Sequence, residues 1–224
     1  METSSPTTAI IFFAFSASRE TSRKKLVNES KANTALLEAL RAQSLQKAMA
    51  TQFPVFEFNE HNQRGANFGE RLQSAFDSVF SQNFERVICI GADCPELTSE
   101  DLTTAANALS ETDIVIGPDL RKGMFLLAMN RYGYEELSFE ALAWQSPQLI
   151  ESIHTHCQQL SIFFLNPKFD LNKAFDLCAQ SNSTVLKKLL KVIRPTLNTA
   201  TYHFNFLCSI LINSQLPQRA PPMQ

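Results

Sequence analysis

No G-x-S-x-G elbow, no P-loop and no dinucleotide fingerprint occurs in the 224 residues. Serine hydrolases, P-loop NTPases and Rossmann dehydrogenases therefore lose their usual anchors. The five cysteines, Cys89, Cys94, Cys157, Cys178 and Cys208, are odd in number, scattered, and form no C-x-x-C pair. That argues against a disulfide framework or a zinc site and for reduced thiols in a cytoplasmic protein. A charge excess is missing too: the net charge of -2 gives no global field for nucleic acid or an acidic membrane, so no nucleic-acid partner is expected and an anionic ligand must be held locally. Long apolar runs are also lacking. The stretch Ala9 to Phe15 is short for a signal-peptide core and has no Lys or Arg before it, which favours a buried first strand. Phe204 to Ile212 is interrupted by Asn205 and Ser209 and is too short to span a membrane.

What is present is the composition of a globular protein, 44% hydrophobic and 19% charged, with enough length for one α/β domain and a tail. The pattern predicts a strand over Ala9 to Phe15, a long helix over Ala32 to Ala50 and a strand over Phe53 to Phe58. A helix follows over Glu70 to Phe80, then a strand from Val87 and a helix over Glu100 to Leu109 that Thr98 or Ser99 can cap. Asp113 to Pro118 and Phe125 to Met129 read as strands, the latter antiparallel because the connection is too short for a helical crossover. A helix over Gln148 to Cys157 and a strand over Leu160 to Leu165 complete a doubly wound, mostly parallel α/β sheet. The domain is expected over residues 8–180. Residues 181–224 read as a basic amphipathic helix, Thr184 to Ile193, and a C-terminal tail rich in Thr, Asn, Gln and Pro that is expected to be disordered.

The most informative segment is Val87-Ile88-Cys89-Ile90-Gly91-Ala92-Asp93-Cys94-Pro95-Glu96-Leu97. Its unbroken apolar run suits a strand covered on both faces, and open parallel sheets bind ligands beyond the carboxyl ends of their strands. Asp93 is thus a candidate for a metal or phosphate site, or else the cap of the turn. Arg19, Arg23, Lys24 and Lys25 lie just past the first strand, where a loop can grip phosphate or simply be solvated. Gly65 and Gly69 permit tight backbone turns before Glu70-Arg71, and Arg71 can clamp a phosphate or pair with a carboxylate. Asp170 and Asn172 offer hard oxygens suited to Mg²⁺ or Mn²⁺, with helix capping as the competing role. His154 and His156 point to different faces of a helix, which disfavours a metal pair.

Taken in order, Phe13-Ala14, the loop ending Lys25-Leu26, Gln63-x-Gly65 with Gly69-Glu70-Arg71-Leu72, Gly91 to Leu97, Gly117-Pro118 and the Asp170 segment resemble a bacterial family of GT-A-like glycosyltransferases. These are the selenodomain-associated transferases of the nucleotide-diphospho-sugar transferase superfamily, and the likeness covers roughly residues 8–180. The resemblance implies a GT-A-like fold, a nucleotide or nucleotide-sugar ligand, a divalent metal at Asp93 and transfer of a glycosyl or nucleotidyl group. Three departures accompany it. The first loop keeps its charges in Arg23-Lys24-Lys25 but loses a Pro-Gly turn, Arg121 stands where the family has an acid, and Asn172 replaces a second carboxylate. Arg121 can then act as a catalytic cation against the diphosphate in place of a metal-held acid. The alternative is a catalytically degenerate nucleotide-binding or scaffold protein of the same fold.

Overall fold

Alternation along the central strands sends one set of side chains to each face of a sheet, and both sets are apolar. The computed structural model describes residues 7–179 and 183–193, so the expected tail lies outside the described residues. Strand β1 (Thr8–Phe13) lies between β2 (Val55–Phe58) and β3 (Arg86–Ile90), parallel to both. Strand β5 (Met124–Asn130) runs antiparallel between β3 and β4 (Ile114–Pro118), and β6 (Ile162–Phe164) closes the sheet parallel to β4. The order is β2-β1-β3-β5-β4-β6. Because β5 alone is reversed, the carboxyl ends of the other five strands share one rim, the place where open α/β sheets bind ligands.

Helix α1 (Ala17–Thr21) follows β1, and α2 (Ser30–Met49) and α3 (Phe68–Phe80) flank β2 in the chain. Further along, the described residues form α4 (Ser99–Ala108), α5 (Arg131–Glu136), a 3-10 turn (Phe139–Ala141), α6 (Leu149–His156), α7 (Ala174–Ala179) and α8 (Thr184–Ile193). Ala9, Ile11, Val87 and Cys89 pack on α3 through Leu72, Phe76 and Val79, all buried. Ile10, Phe12, Ile88 and Ile90 face the opposite side and meet Leu102, Ala105 and Ala106 of α4. Each fully buried aliphatic or aromatic side chain contributes about 1.5–3 kcal/mol, so this double layer fixes the register of the central strands. A third cluster joins Leu36, Leu37 and Leu40 of α2 to Leu26, Leu171 and Leu189 of α8. The basic helix therefore packs on the domain through its apolar stripe.

Element boundaries differ from the sequence pattern where a polar group or a proline intervenes. Helix α3 starts at Phe68, two residues before the expected Glu70, because the Asn67 side chain accepts the Glu70 N–H at 2.9 Å. Strand β2 starts at Val55 because Pro54 has no N–H to give, although its carbonyl accepts from Ile10 at 2.8 Å. Helix α4 carries the expected cap: Thr98 Oγ1 accepts from Asp101 N at 3.1 Å, while Asp101 Oδ2 accepts from Thr98 N at 2.7 Å. Helix α1 begins at a capping serine inside a stretch that reads as a polar loop. No helix among the described residues is long and apolar enough to cross a membrane.

Candidate functional site

Backbone hydrogen bonds stitch the loops after β3, β4 and β6 together at the rim. Leu171 N donates to the Asp93 carbonyl at 2.8 Å, Lys168 N to the Pro118 carbonyl at 3.1 Å and Leu120 N to the Lys168 carbonyl at 3.1 Å. Two adjoining chambers open over this rim and share Phe13, Phe68, Gly91, Asp93 and Gln145. The first, of about 190 Å³, is lined by Arg23, Arg41 and Arg71 among others. The second, of about 330 Å³, carries Asp119, Asp170 and Asn172 beside Asp93.

The first loop owes its shape to Ser16 and Asn33. Ser16 caps α1, and its N–H and hydroxyl both donate to the Glu60 carboxylate beyond β2, the N–H at 2.8 Å. Those two bonds hold the Glu60 carboxyl down at about 2. Asn33 of α2 accepts from Leu26 N at 2.8 Å and Val27 N at 3.1 Å and donates to the Lys24 carbonyl at 2.8 Å, fixing the turn that carries the basic residues. Of these, Arg23 lines the chamber with its guanidinium 5.1 Å from the Phe15 ring centre. Lys24 turns inward, 7% exposed, and its Nζ lies 2.6 Å from Asp93 Oδ1. Arg19 and Lys25 are exposed and line neither chamber.

Two guanidinium groups complete the basic wall. Arg41 is held by Glu57 and lies over the Phe12 ring at 4.8 Å, leaving its Nη1 buried without a hydrogen-bond partner. Arg71 reaches the Ala66 carbonyl only at 3.5 Å, and its Nε is likewise buried and unpartnered. A buried charged donor left unpaired costs free energy, so both positions favour an incoming anion. Gly69, grouped with the phosphate loop by its sequence, has another constraint: a Cβ there would lie 2.6 Å from the Trp144 indole. Gly65 adopts φ +133°, and a Cβ would lie 2.6 Å from the Glu70 Cβ, so this turn requires glycine.

The acidic wall has the opposite electrostatics. Asp170 has one buried oxygen, Oδ1, without a partner. Burial, with the Asp93 and Asp119 carboxylates nearby, pushes its carboxyl up to about 7. Asp119 anchors the β4–β5 turn by accepting from Arg121 N at 2.6 Å and Gly123 N at 2.8 Å. Burial and the Asp93 charge also raise Glu20, which lines the basic chamber. Asn172 lines the acidic chamber and donates its backbone N–H to Asp176 at 2.6 Å.

Arg121 is placed differently from Asp93, Asp170 and Asn172. Its guanidinium forks onto both oxygens of Asp176, a fully buried residue, and stands 5.0 Å from the Phe169 ring centre. It lines neither chamber. Burial alone would raise Asp176, but the Arg121 fork and the Asn172 and Lys173 N–H groups hold its carboxyl below the usual range. Asp119, Arg41, Glu60 and Trp144 are parts of the site that motif reading misses. Among the described residues, no three His, Cys, Asp or Glu side chains are grouped so as to hold a metal by themselves.

Comparison with solved structures places this architecture. A protein from Desulfovibrio desulfuricans G20, provisionally described as a nucleotide-diphospho-sugar transferase, superposes with a TM-score of 0.71 at 18% identity, covering 85% of this chain and 98% of its own. A cytidylyltransferase from Leptospira borgpetersenii serovar Hardjo-bovis covers 89% of this chain and 100% of its own at 14% identity and a TM-score of 0.46. A manganese complex of a Mycobacterium tuberculosis H37Rv protein covers 80% and 100% at 13% identity and a TM-score of 0.45. No curated protein matches the chain. The first likeness shows that the chain shares the fold of that protein, in agreement with the GT-A-like fold that the sequence resemblance implies. The family model described as an uncharacterized protein conserved in bacteria, DUF2064, matches residues 26–146, a stretch that includes Arg41, Arg71, Asp93, Asp119 and Arg121. That match spans more than half of the sequence, and the chain belongs to the DUF2064 family.

Proposed function

We propose that the double chamber binds a nucleotide or nucleotide-sugar diphosphate and transfers a glycosyl or nucleotidyl group from it. The observation that carries this reading is the division of charge about Asp93: buried, unpartnered guanidinium nitrogens on one side and an unpartnered carboxylate oxygen on the other. A diphosphate satisfies both sides, because its oxygens accept from Arg23, Arg41 and Arg71 while a cation it carries neutralises the carboxylates. Lys24 holds Asp93 in place until a ligand arrives, and Arg121 is a positioning residue that fixes the loop between Asp170 and Asp176.

The donor set fits a divalent cation shared with phosphate. Mg²⁺ is commonly held by one or two carboxylates together with substrate phosphates, and Mn²⁺ takes similar oxygen donors. Asp93 and Asp170, with the Asn172 amide, are the residues that would hold it. When bound, the ion supplies charge neutralisation at the departing phosphate. The chain's own contribution is to orient the diphosphate through the three arginines and to place the Asp93 carboxylate at the junction of the chambers. Electrostatic groups fixed in advance act where charge develops in the transition state.

The Lys24–Asp93 pair favours a second reading, in which a resident ammonium takes the place of the metal and the protein binds nucleotides without turning them over. Calorimetric titration with nucleoside diphosphates and nucleotide sugars, with and without Mn²⁺, tests both. The transfer reading expects binding that tightens with Mn²⁺ and slow donor hydrolysis. Binding indifferent to Mn²⁺ with no turnover establishes the second reading, and no binding of any member refutes the first and the second together.

A further inference from the structure

Lys24 reaches Asp93 from outside both chambers: its Nζ lies 2.6 Å from Asp93 Oδ1, yet the residue belongs to neither lining. The side chain is 7% exposed, and Nζ has no hydrogen-bond partner beyond this ion contact. Its charge also acts on Glu20 and Asp170, offsetting part of the rise that burial imposes on their carboxyls. Resting on the transfer reading above, we propose that Lys24 selects the form in which a divalent cation enters the site, turning away the free ion and admitting the ion already bound to a diphosphate.

The fold builds this position without a ligand. Lys24 N donates to the Glu20 carbonyl at 2.8 Å, and the Asn33 side chain donates to the Lys24 carbonyl at 2.8 Å. Asn33 also accepts from Leu26 N at 2.8 Å, and Leu26 is buried against Leu36, Leu37 and Leu40 of α2. With its backbone pinned on both sides and its stem buried, the lysine stands at Asp93 as a fixed charge.

Charge then separates the two forms of the cation. A free divalent ion approaching Asp93 finds one oxygen already paired with the ammonium and a like charge behind it, and like charges at short range repel strongly where water is scarce. Among the described residues, no three His, Cys, Asp or Glu side chains hold a metal by themselves, so phosphate oxygens must complete the coordination shell. An ion bound to a diphosphate carries a net negative charge instead, and Lys24 then attracts it together with Arg23, Arg41 and Arg71. The same lysine opposes the ion and favours the complex.

Two titrations of the full chain test this: Mn²⁺ alone, followed by the paramagnetic resonance of the unbound ion, and Mn²⁺ with inorganic pyrophosphate, followed by calorimetry. Lys24→Met should bind Mn²⁺ alone at least about tenfold more tightly than wild type, and the pyrophosphate complex no more tightly. Lys24→Gln provides the same test should the first variant fail to fold. Arg23→Met removes an equal charge from the adjoining residue, whose guanidinium lies over Phe15, and should weaken the complex without a comparable gain for the free ion. A free-ion affinity unchanged in both Lys24 variants, or raised equally by Arg23→Met, overturns the proposal. If wild type still binds the complex in that case, the role of Lys24 alone is refuted. Pyrophosphate bound equally well with and without Mn²⁺ establishes the reading in which the ammonium replaces the metal, and overturns this one. Failure of every form to bind the complex or a nucleoside diphosphate refutes the transfer reading and this inference with it.

Discussion

The basic chamber takes its charges from the first part of the chain, the loop after β1 and the helices α2 and α3, whereas the acidic chamber is assembled from three loops that follow β3, β4 and β6. The difference shows in how each is held. Arg41 and Arg71 sit on long helices anchored by the core, so the basic wall is rigid before any ligand binds. The acidic loops rely on one another, through the Leu171–Asp93 and Lys168–Pro118 backbone bonds and the Arg121–Asp176 fork. A charge change in the basic wall should therefore alter binding with little effect on folding. A change in the bracing of the acidic wall should do both.

Arg121→Ala is the most severe way to break that contrast. It leaves the buried Asp176 carboxylate with only its backbone N–H partners. Removing one partner of a buried pair typically costs about 3–5 kcal/mol, and partial exposure of Arg121 puts this case near the lower figure, about 3 kcal/mol. The pH dependence has a definite sign. Asp176 is held below its ordinary carboxylate value when folded, so its stabilisation is present above that ordinary value and is lost as pH falls through the depressed one. The variant lacks this reserve, so denaturant melts at pH 7 and about pH 2 should show a smaller wild-type-to-variant gap at the lower pH. An equal gap at both pH values would make Arg121 a surface charge of no structural weight.

Arg71→Ala sharpens the comparison from the other side. A hydrogen bond to a charged group contributes about 1.5–3 kcal/mol, so nucleoside diphosphate binding should weaken at least tenfold. Because the Arg71 Nε has no partner in the protein, the melting temperature should barely move. A large loss of stability with unchanged affinity would assign Arg71 to the fold instead of the ligand.

Much of the scaffold was legible because its signals are local. The apolar run before Gly91 announced a strand buried on both faces, Thr98 with Asp101 announced a capped helix, and a short connection predicted the reversal of β5. The placement of Asp93, Asp170 and Asn172 around one chamber also followed from their positions after strands. The missed residues lack such signals. Arg41 lies mid-helix among alanines and leucines, where a charge reads as solvent-facing, and only the sheet's packing turns it onto Phe12. Asp119 looks like an ordinary turn residue until the β4–β5 hairpin brings it beside Asp170. Arg121 drew notice as a cation in an acidic position, yet its partner Asp176 is far along the chain, and no spacing rule connects the two.

The smallest expected effect concerns the joint between the loops that follow β1 and β2. Glu60 holds the N-cap of α1 through the Ser16 N–H and hydroxyl, and these bonds keep its carboxyl at about 2. A depressed folded value means that the contribution is complete above the ordinary 4.5 and disappears as pH falls toward about 2. The contact is near the surface, so Glu60→Gln should cost less than about 1 kcal/mol at pH 7. Its effect on binding should exceed its effect on stability, because the freed loop carries Arg23 into and out of the basic chamber. Calorimetry should show nucleoside diphosphate affinity reduced a few-fold with a more unfavourable binding entropy, since the ligand must then order the loop. Affinity equal to wild type would show that α1 and its cap hold Arg23 without help from β2, and that the basic wall owes its rigidity to α2 and α3 alone.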